Sequence, residues 1–308
     1  MPRLPLGNAV EQAILWLLDT APWLFDAISA VMASLVDAIT GGLTALPALL
    51  SIVVLAGAAY LASGWRLALY TLLAFAVVES LELWEQTAQT LALVIVAAAL
   101  ATVVGLPLGI WSARSARARS LLRPVLDAMQ TTPVFVYLIP AVFFFGVGVV
   151  PGVVATTIFA VPPAVRLTEL GIRQVDSETV EAASAFGASP GQILREVQLP
   201  LALPSIMAGI NQVIMLALSM VVVAGLTGAA GLGAVVVRAV TQLDIATGFE
   251  GGLAVVLLAI YLDRVTSALS DRPAAARGRG RPRRGSGREP ERRGPEEASA
   301  VAALPVRN

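Results

Sequence analysis

Apolar residues fall in long blocks along this chain, separated by short stretches where arginine, acids, glycine and proline collect. A helix crossing about 30 Å of hydrocarbon needs roughly 20 apolar residues, and seven blocks approach that length. They run from Leu46 to Ser63, Leu67 to Leu81, Ala88 to Trp111, Ala128 to Val147, Pro151 to Leu167, Ser205 to Gly225 and Gly251 to Leu269. The second is short and bounded by Arg66 and Glu79, so it reads as a tilted or partial crossing. The pattern predicts an all-α polytopic membrane protein of about seven transmembrane helices, with its membrane domain over 46–270.

Residues 1–45 differ in texture. Ile14, Leu17, Leu18, Leu24, Ile28, Val31, Leu35 and Ile39 come at mixed spacings, interrupted by Glu11, Asp19, Asp26 and Asp37. This predicts an extracytoplasmic amphipathic helix, or a helix pair, lying along the outer surface rather than crossing. A cleavable signal peptide does not fit, since the basic start is a single Arg3 and Asp19 breaks the apolar stretch. From Asp271 to the end the chain is rich in Arg, Gly, Pro and Ala, and it holds too few large apolar residues to offset the entropy of ordering. A disordered, solvated cytoplasmic tail over 271–308 is expected, with no nucleic-acid role.

Composition sharpens the class. The 308 residues are 57% hydrophobic and 14% charged, where a water-soluble domain would be nearer half and a quarter. Cys and His are absent, which removes thiolate and imidazole metal sites, Cys nucleophiles and His-based triads. All 21 basic residues are Arg, so a phosphate-gripping loop ending in Gly-Lys-Ser/Thr cannot exist here, and any ATP site belongs to another polypeptide. No catalytic residues, metal or cofactor are expected. Arginine also sets the orientation, because positively charged loops stay in the cytoplasm. Arg114, Arg117, Arg119 and Arg123 follow the third block, Arg166, Arg173 and Arg195 lie between the fifth and sixth, and nine Arg fall between Arg272 and Arg293. Seven crossings put all three clusters inside, with the N-terminus outside and the C-terminus cytoplasmic. Glu79, Glu82, Glu85, Asp244 and Glu250 then mark the outer face.

The longest cytoplasmic stretch of the membrane domain, at about 168–203, carries the functional signal. Asp176 and Glu178 lead into a predicted helix over Thr179 to Phe186, Gly187 ends it, and Ser189-Pro190 is a cap and first-turn signal for a second helix closing before Leu199-Pro200. The spacing of Glu181, Ala182, Ala183, Gly187, Val197, Leu199 and Pro200 resembles the EAA loop of ABC importer permeases. That resemblance implies a short helix docking in a cleft of a cytoplasmic ATPase subunit and transmitting its closure to the membrane. Ala would allow close approach, Gly the sharp turn, and Pro the stop where the next crossing begins.

The resemblance extends over about Leu43 to Leu269, including LRPVLDAMQTTPVFVYLIPAVFFFG and QLPLALPSIMAGINQVIMLALSMVVVAGLTGAAGLG, which look like the permease subunit of glycine betaine/proline betaine ABC importers. It implies a type I importer permease fold, a homodimer in the lipid bilayer, and import of compatible solutes such as glycine betaine, proline betaine, carnitine or choline. Two departures stand out: Val197 replaces the usual Ile, and no fused binding domain follows, so a separate extracytoplasmic substrate-binding protein is implied.

No ionisable residue stands out at mid-membrane, since Asp127, Glu169, Asp263 and Arg264 fall near block ends. That weighs against the alternative from another class, a self-sufficient secondary transporter or channel. A quaternary ammonium cation is held by aromatic faces, and such a cage belongs more naturally in the binding protein. Within the chain, Tyr137 and Phe144 among the fourth block's aromatics, and Asn211, Gln212 and Ser219 in the sixth, are candidates for a pathway lining, with interhelical packing as the competing use. The glycines of GAAGLG, Gly228 to Gly233, suit close packing of an external re-entrant segment.

Overall fold

The structure is a computed structural model and describes residues 6–278. Every regular element among them is helical. A pair, α1 (Leu6–Thr20) and α2 (Pro22–Thr44), precedes α3 (Ala48–Ser63) and α4 (Trp65–Ser80), and then α5 (Trp84–Arg114), α6 (Ala116–Thr131), α7 (Phe135–Phe145) and α8 (Val149–Arg173). The short α9 (Ser177–Ala185) and α10 (Pro190–Gln192) lead through a π-helical stretch, Ile193–Gln198, into α11 (Leu199–Ser219), followed by α12 (Val221–Leu226), α13 (Leu232–Gln242) and α14 (Ile245–Gly278).

At the centre α8 lies between α5 and α11, its most extensive partners. Small residues make the approach so close that side chains are excluded. A Cβ on Gly105 would meet Ala164 Cβ at 2.4 Å, and one on Gly109 would meet the Val165 carbonyl oxygen at 2.8 Å. These two glycines, four apart on one face of α5, form the small-residue seam by which helices pack where lipid gives no hydrophobic drive. On one flank α3, α4, α13 and α14 close over Phe75, Leu232 and Leu258, all fully buried, with Trp84 and Tyr261 edge-on to Phe75. Thr90 on α5 pins the start of α13 by accepting from the Leu232 N–H at 2.8 Å. At the far end of α13, Asp244 accepts from the Thr247 hydroxyl at 2.7 Å and from its N–H at 3.2 Å, and these bonds hold its carboxyl below the usual range.

The block pattern located most elements, and three features differ. The fourth block is not one crossing: α6 and α7 meet at a 94° bend. Thr132 is extended there (φ −72°, ψ 129°), the conformation a following proline favours, and Pro133 supplies that bias. Five helices are long and apolar enough to cross a bilayer, six if the bent pair counts as one crossing, while Ala48–Ser63 and Leu232–Gln242 are shorter apolar helices. The count of seven is therefore not reproduced. α2 is among the five, although a surface helix was expected; it sends Val36 into a core with Ala92, Leu93, Val96 and Val153. Its acids Asp26 and Asp37 are exposed, so they do not interrupt the buried stripe. α14 continues to Gly278, and 279–308, most of the expected tail, lies outside the described residues.

Candidate functional site: a capped hairpin at one end of the bundle

The EAA-like residues form one hairpin. Asp176 starts its first arm, accepting from the Glu178 N–H at 3.1 Å, an N-cap that satisfies one of the orphan donors of a helix start. α9 then carries Glu181 and Ala182 exposed and Ala183 half-buried. The arm ends in a Schellman motif: Ala188 N–H reaches the Ala183 carbonyl at 3.1 Å and Gly187 N–H the Ser184 carbonyl at 2.9 Å. This closure needs Gly187 in the left-handed region, at φ +85°. The second arm opens with a full capping box, Gln192 N–H to Ser189 Oγ at 3.4 Å and Ser189 N–H to Gln192 Oε1 at 2.8 Å, with Pro190 at the first helical position.

The second arm does not close before Leu199-Pro200, as the sequence suggested. It continues through Leu199-Pro200 into α11 and on to Leu226, with a single turn residue at Met220. A proline inside an α-helix clashes with the carbonyl four residues back. Here the turn ahead of it is widened, with Leu199 N–H reaching Leu194 O, five residues back, and the widening makes room for the ring. Buried Leu194 anchors this root among Ile172, Ala202 and Ile206. Val197, Leu199 and Pro200 are half-buried there, whereas Glu181, Ala182 and Gly187 sit at the tip.

Two features at this end were missed. Phe186, between Ala185 and the turn glycine, is 92% exposed, more than any other large apolar residue described. A lone aromatic in an otherwise small and polar hairpin was the signal available. The second is an ion-pair cluster beneath the hairpin: Arg119 meets Glu169 at 2.7 Å, Arg173 meets Glu169 at 3.4 Å, and Arg166 pairs with Asp127. An open groove of about 360 Å³ lies between the first arm and the ends of α5 and α8, lined by Arg114, Ile172, Arg173, Val180, Glu181 and Gln198.

The pathway candidates are not brought to one place. Tyr137 donates to the Met129 carbonyl at 2.7 Å across the α6–α7 bend, and Phe144 stacks on Phe25 of α2 at 4.7 Å. Asn211 accepts from the Thr266 hydroxyl at 2.6 Å, joining α11 to α14. Gln212 and Ser219 remain exposed, with Met215 between them, and Met215 and Ser219 line an open groove of about 420 Å³ that α11 shares with Val255, Ala259 and Asp263 of α14. The GAAGLG glycines pack closely: a Cβ on Gly231 would meet Thr90 Oγ1 at 2.6 Å, and one on Gly233 would collide with the Val221 carbonyl.

Residues 105–274 match the family model described as the binding-protein-dependent transport system inner membrane component. The chain is 48% identical over 266 residues to the glycine betaine transport system permease protein OpuAB of Bacillus subtilis (strain 168), covering 86% of this chain and 94% of the relative. It is 46% identical over 275 residues to the glycine betaine/proline betaine transport system permease protein ProW of Escherichia coli (strain K12), covering 89% and 77%. Among solved structures, a chain of the MetNI methionine ABC transporter in an inward-facing conformation aligns with a TM-score of 0.56 at 22% identity, covering 60% of this chain and 92% of that one, and so shares the fold.

Proposed function

The chain belongs to the binding-protein-dependent transport system inner membrane components, and from that premise we propose that it imports small quaternary ammonium osmolytes such as glycine betaine, proline betaine, carnitine or choline. It is a multi-pass ABC importer permease, and ATP hydrolysis belongs to a separate subunit. In this reading two copies in the cell membrane share one alternating-access path, with the N-terminus outside and the hairpin and C-terminus in the cytoplasm. A binding protein delivers solute at the outer end, and an ABC ATPase subunit grips the hairpin.

The observation that carries the proposal is the hairpin itself. Both arms are capped from within, so it keeps its shape without a partner, and yet its tip offers Glu181, Ala182, Phe186 and Gly187 to solvent. Phe186 is the apolar point of contact, Glu181 the charged one, and Val197, Leu199 and Pro200 join the tip to α11. Tyr137, Phe144 and Asn211 are engaged in internal contacts, so lining of the path falls to Gln212 and Ser219. Family membership favours the ATP-driven reading over a self-sufficient transporter or channel.

The test is uptake of labelled betaine into vesicles. It should require the ATPase subunit, the binding protein and ATP together, and Glu181→Arg should insert normally but lose both the ATPase subunit and uptake. Uptake by this chain alone, driven by an ion gradient, would overturn the proposal.

A further inference from the structure

Beneath the hairpin, α6 and α8 are joined by two ion pairs in antiparallel order. Arg119, early in α6, meets Glu169 at 2.7 Å, and Asp127, two turns further on, meets Arg166, one turn back along α8. α6 therefore presents cation then acid, and α8 read in reverse presents acid then cation. A slip that set Arg119 against Arg166, or Asp127 against Glu169, would place like charges together, which proteins use to exclude wrong pairings. Glu169 also accepts from Ser112 of α5 at 2.7 Å and faces Arg173 at 3.4 Å, and its side chain is only 13% exposed. The surrounding groove, of about 460 Å³, is lined mainly by charged side chains, Arg123, Asp127, Arg166, Glu169 and Arg173, with Leu126 and Leu170, while Leu122, Leu126 and Met129 of α6 pack into an apolar cluster shared with α8.

This seam differs in kind from the one between α5 and α8, where Gly105 and Gly109 leave no room for a Cβ. Close-packed seams move as one body. An ion-paired seam keeps its register while its members lengthen or part. Arg166 and Asp127 are 42% and 64% exposed, and pairs so open to water add little to stability. Holding the fold is thus a poor account of them. Their position gives a better one: α8 ends at Arg173 and α9 begins at Ser177, while α6 turns through 94° into α7.

We infer that Arg119, Asp127, Arg166 and Glu169 form a charge clasp that passes displacement of the hairpin to the α6–α7 elbow, and that they are positioning residues of ATP-coupled transport. The inference rests on the proposed function and adds a transmission path to it.

The experiment uses the complete transporter, with ATPase subunit and binding protein, in vesicles. Asp127→Arg and Arg166→Asp should each leave ATPase co-purification and ATP hydrolysis near the parental level and lower solute uptake per ATP hydrolysed about tenfold, within the usual range of coupling between sites. The double variant, which restores the pair in reverse, should recover most of that ratio. Asp127→Asn serves where a reversal fails to insert, and should lower the ratio in the same direction. A parental uptake-per-ATP ratio in the inserted single variants, or a double variant no better than the singles, overturns the clasp. Failure of the parental chain to bind an ATPase subunit would instead overturn the proposed function.

Discussion

Gly187 offers the most quantitative test of the hairpin. It adopts φ +85° to close the Schellman motif, and a Cβ built there would meet nothing within 4 Å. Substitution by alanine therefore creates no clash within the chain, and its whole cost is the left-handed backbone, about 1–2 kcal/mol for a residue with a β-carbon. Asparagine tolerates this region far better and is the natural control. The chain contains its own calibration: α13 closes the same way with Leu243 at φ 56°, Asp244 N–H reaching Ala239 O at 2.9 Å. A side chain at such a position is thus compatible with folding when the surroundings enforce it. Gly187→Ala should insert and fold, and its strain should appear where the docked shape of the hairpin is demanded. The expected loss is about 5- to 30-fold in affinity for the ATPase subunit, the equivalent of 1–2 kcal/mol, with Gly187→Asn close to parental. The assay is titration of ATPase subunit onto permease in detergent or nanodiscs, alongside stimulated ATP hydrolysis. Equal affinities for alanine, asparagine and parent would refute the argument that this conformation is needed for docking.

Phe186→Ala should leave thermal stability unchanged, because the side chain is 92% exposed, and should weaken ATPase binding about tenfold or more, as loss of a buried aromatic anchor does at other interfaces; unchanged binding in the same titration would remove Phe186 from the contact. Gly109→Ala should lower the thermal midpoint in detergent by the equivalent of about 1–3 kcal/mol of overpacking, since its Cβ would sit 2.8 Å from the Val165 carbonyl oxygen, whereas Gly57→Ala, with nothing within 4 Å, should not. Equal midpoints for those two variants would mean that the α5–α8 seam is looser than its geometry implies.

What the sequence disclosed follows from which interactions are local. Hydrophobic blocks located α3, α5, α8, α11 and α14 because a membrane crossing is a property of consecutive residues. The hairpin's turn was legible for the same reason: Gly187 and Ser189-Pro190 are cues within a few residues of the geometry they produce. The bend at Thr132-Pro133 was hidden because apolar residues continue on both sides, so hydropathy could not register a change of direction. α13 was hidden by its length, 11 residues interrupted by Arg238. The clasp was least accessible. Its members were visible as block-end charges, but Ser112 and Glu169 lie 57 positions apart and Asp127 and Arg166 lie 39 apart, and only the packing of α8 against α5 and α6 makes them neighbours.

The helical run from Pro190 to Leu226 gives the spacing of the EAA-like residues a mechanical meaning. Its 37 residues rise about 1.5 Å each, so the rod is about 55 Å long and carries the hairpin's second arm at one end and the Gln212–Ser219 face further along. In the proposed function, a load applied at the tip, through Glu181, Phe186 and Gly187, would be delivered directly to the helix that carries Gln212 and Ser219. A straight α-helix would pass that load on stiffly. The rod is widened at one place among the described residues, Ile193–Gln198, and Val197, Leu199 and Pro200 lie in or against that widened stretch. Proline removes the hydrogen bond that would lock an ordinary α-helical turn there, while Leu194, buried among Ile172, Ala202 and Ile206, keeps the root fixed to the bundle. The two halves of the motif thus divide the work: the first shapes what a partner can grip, and the second sets where the rod can yield.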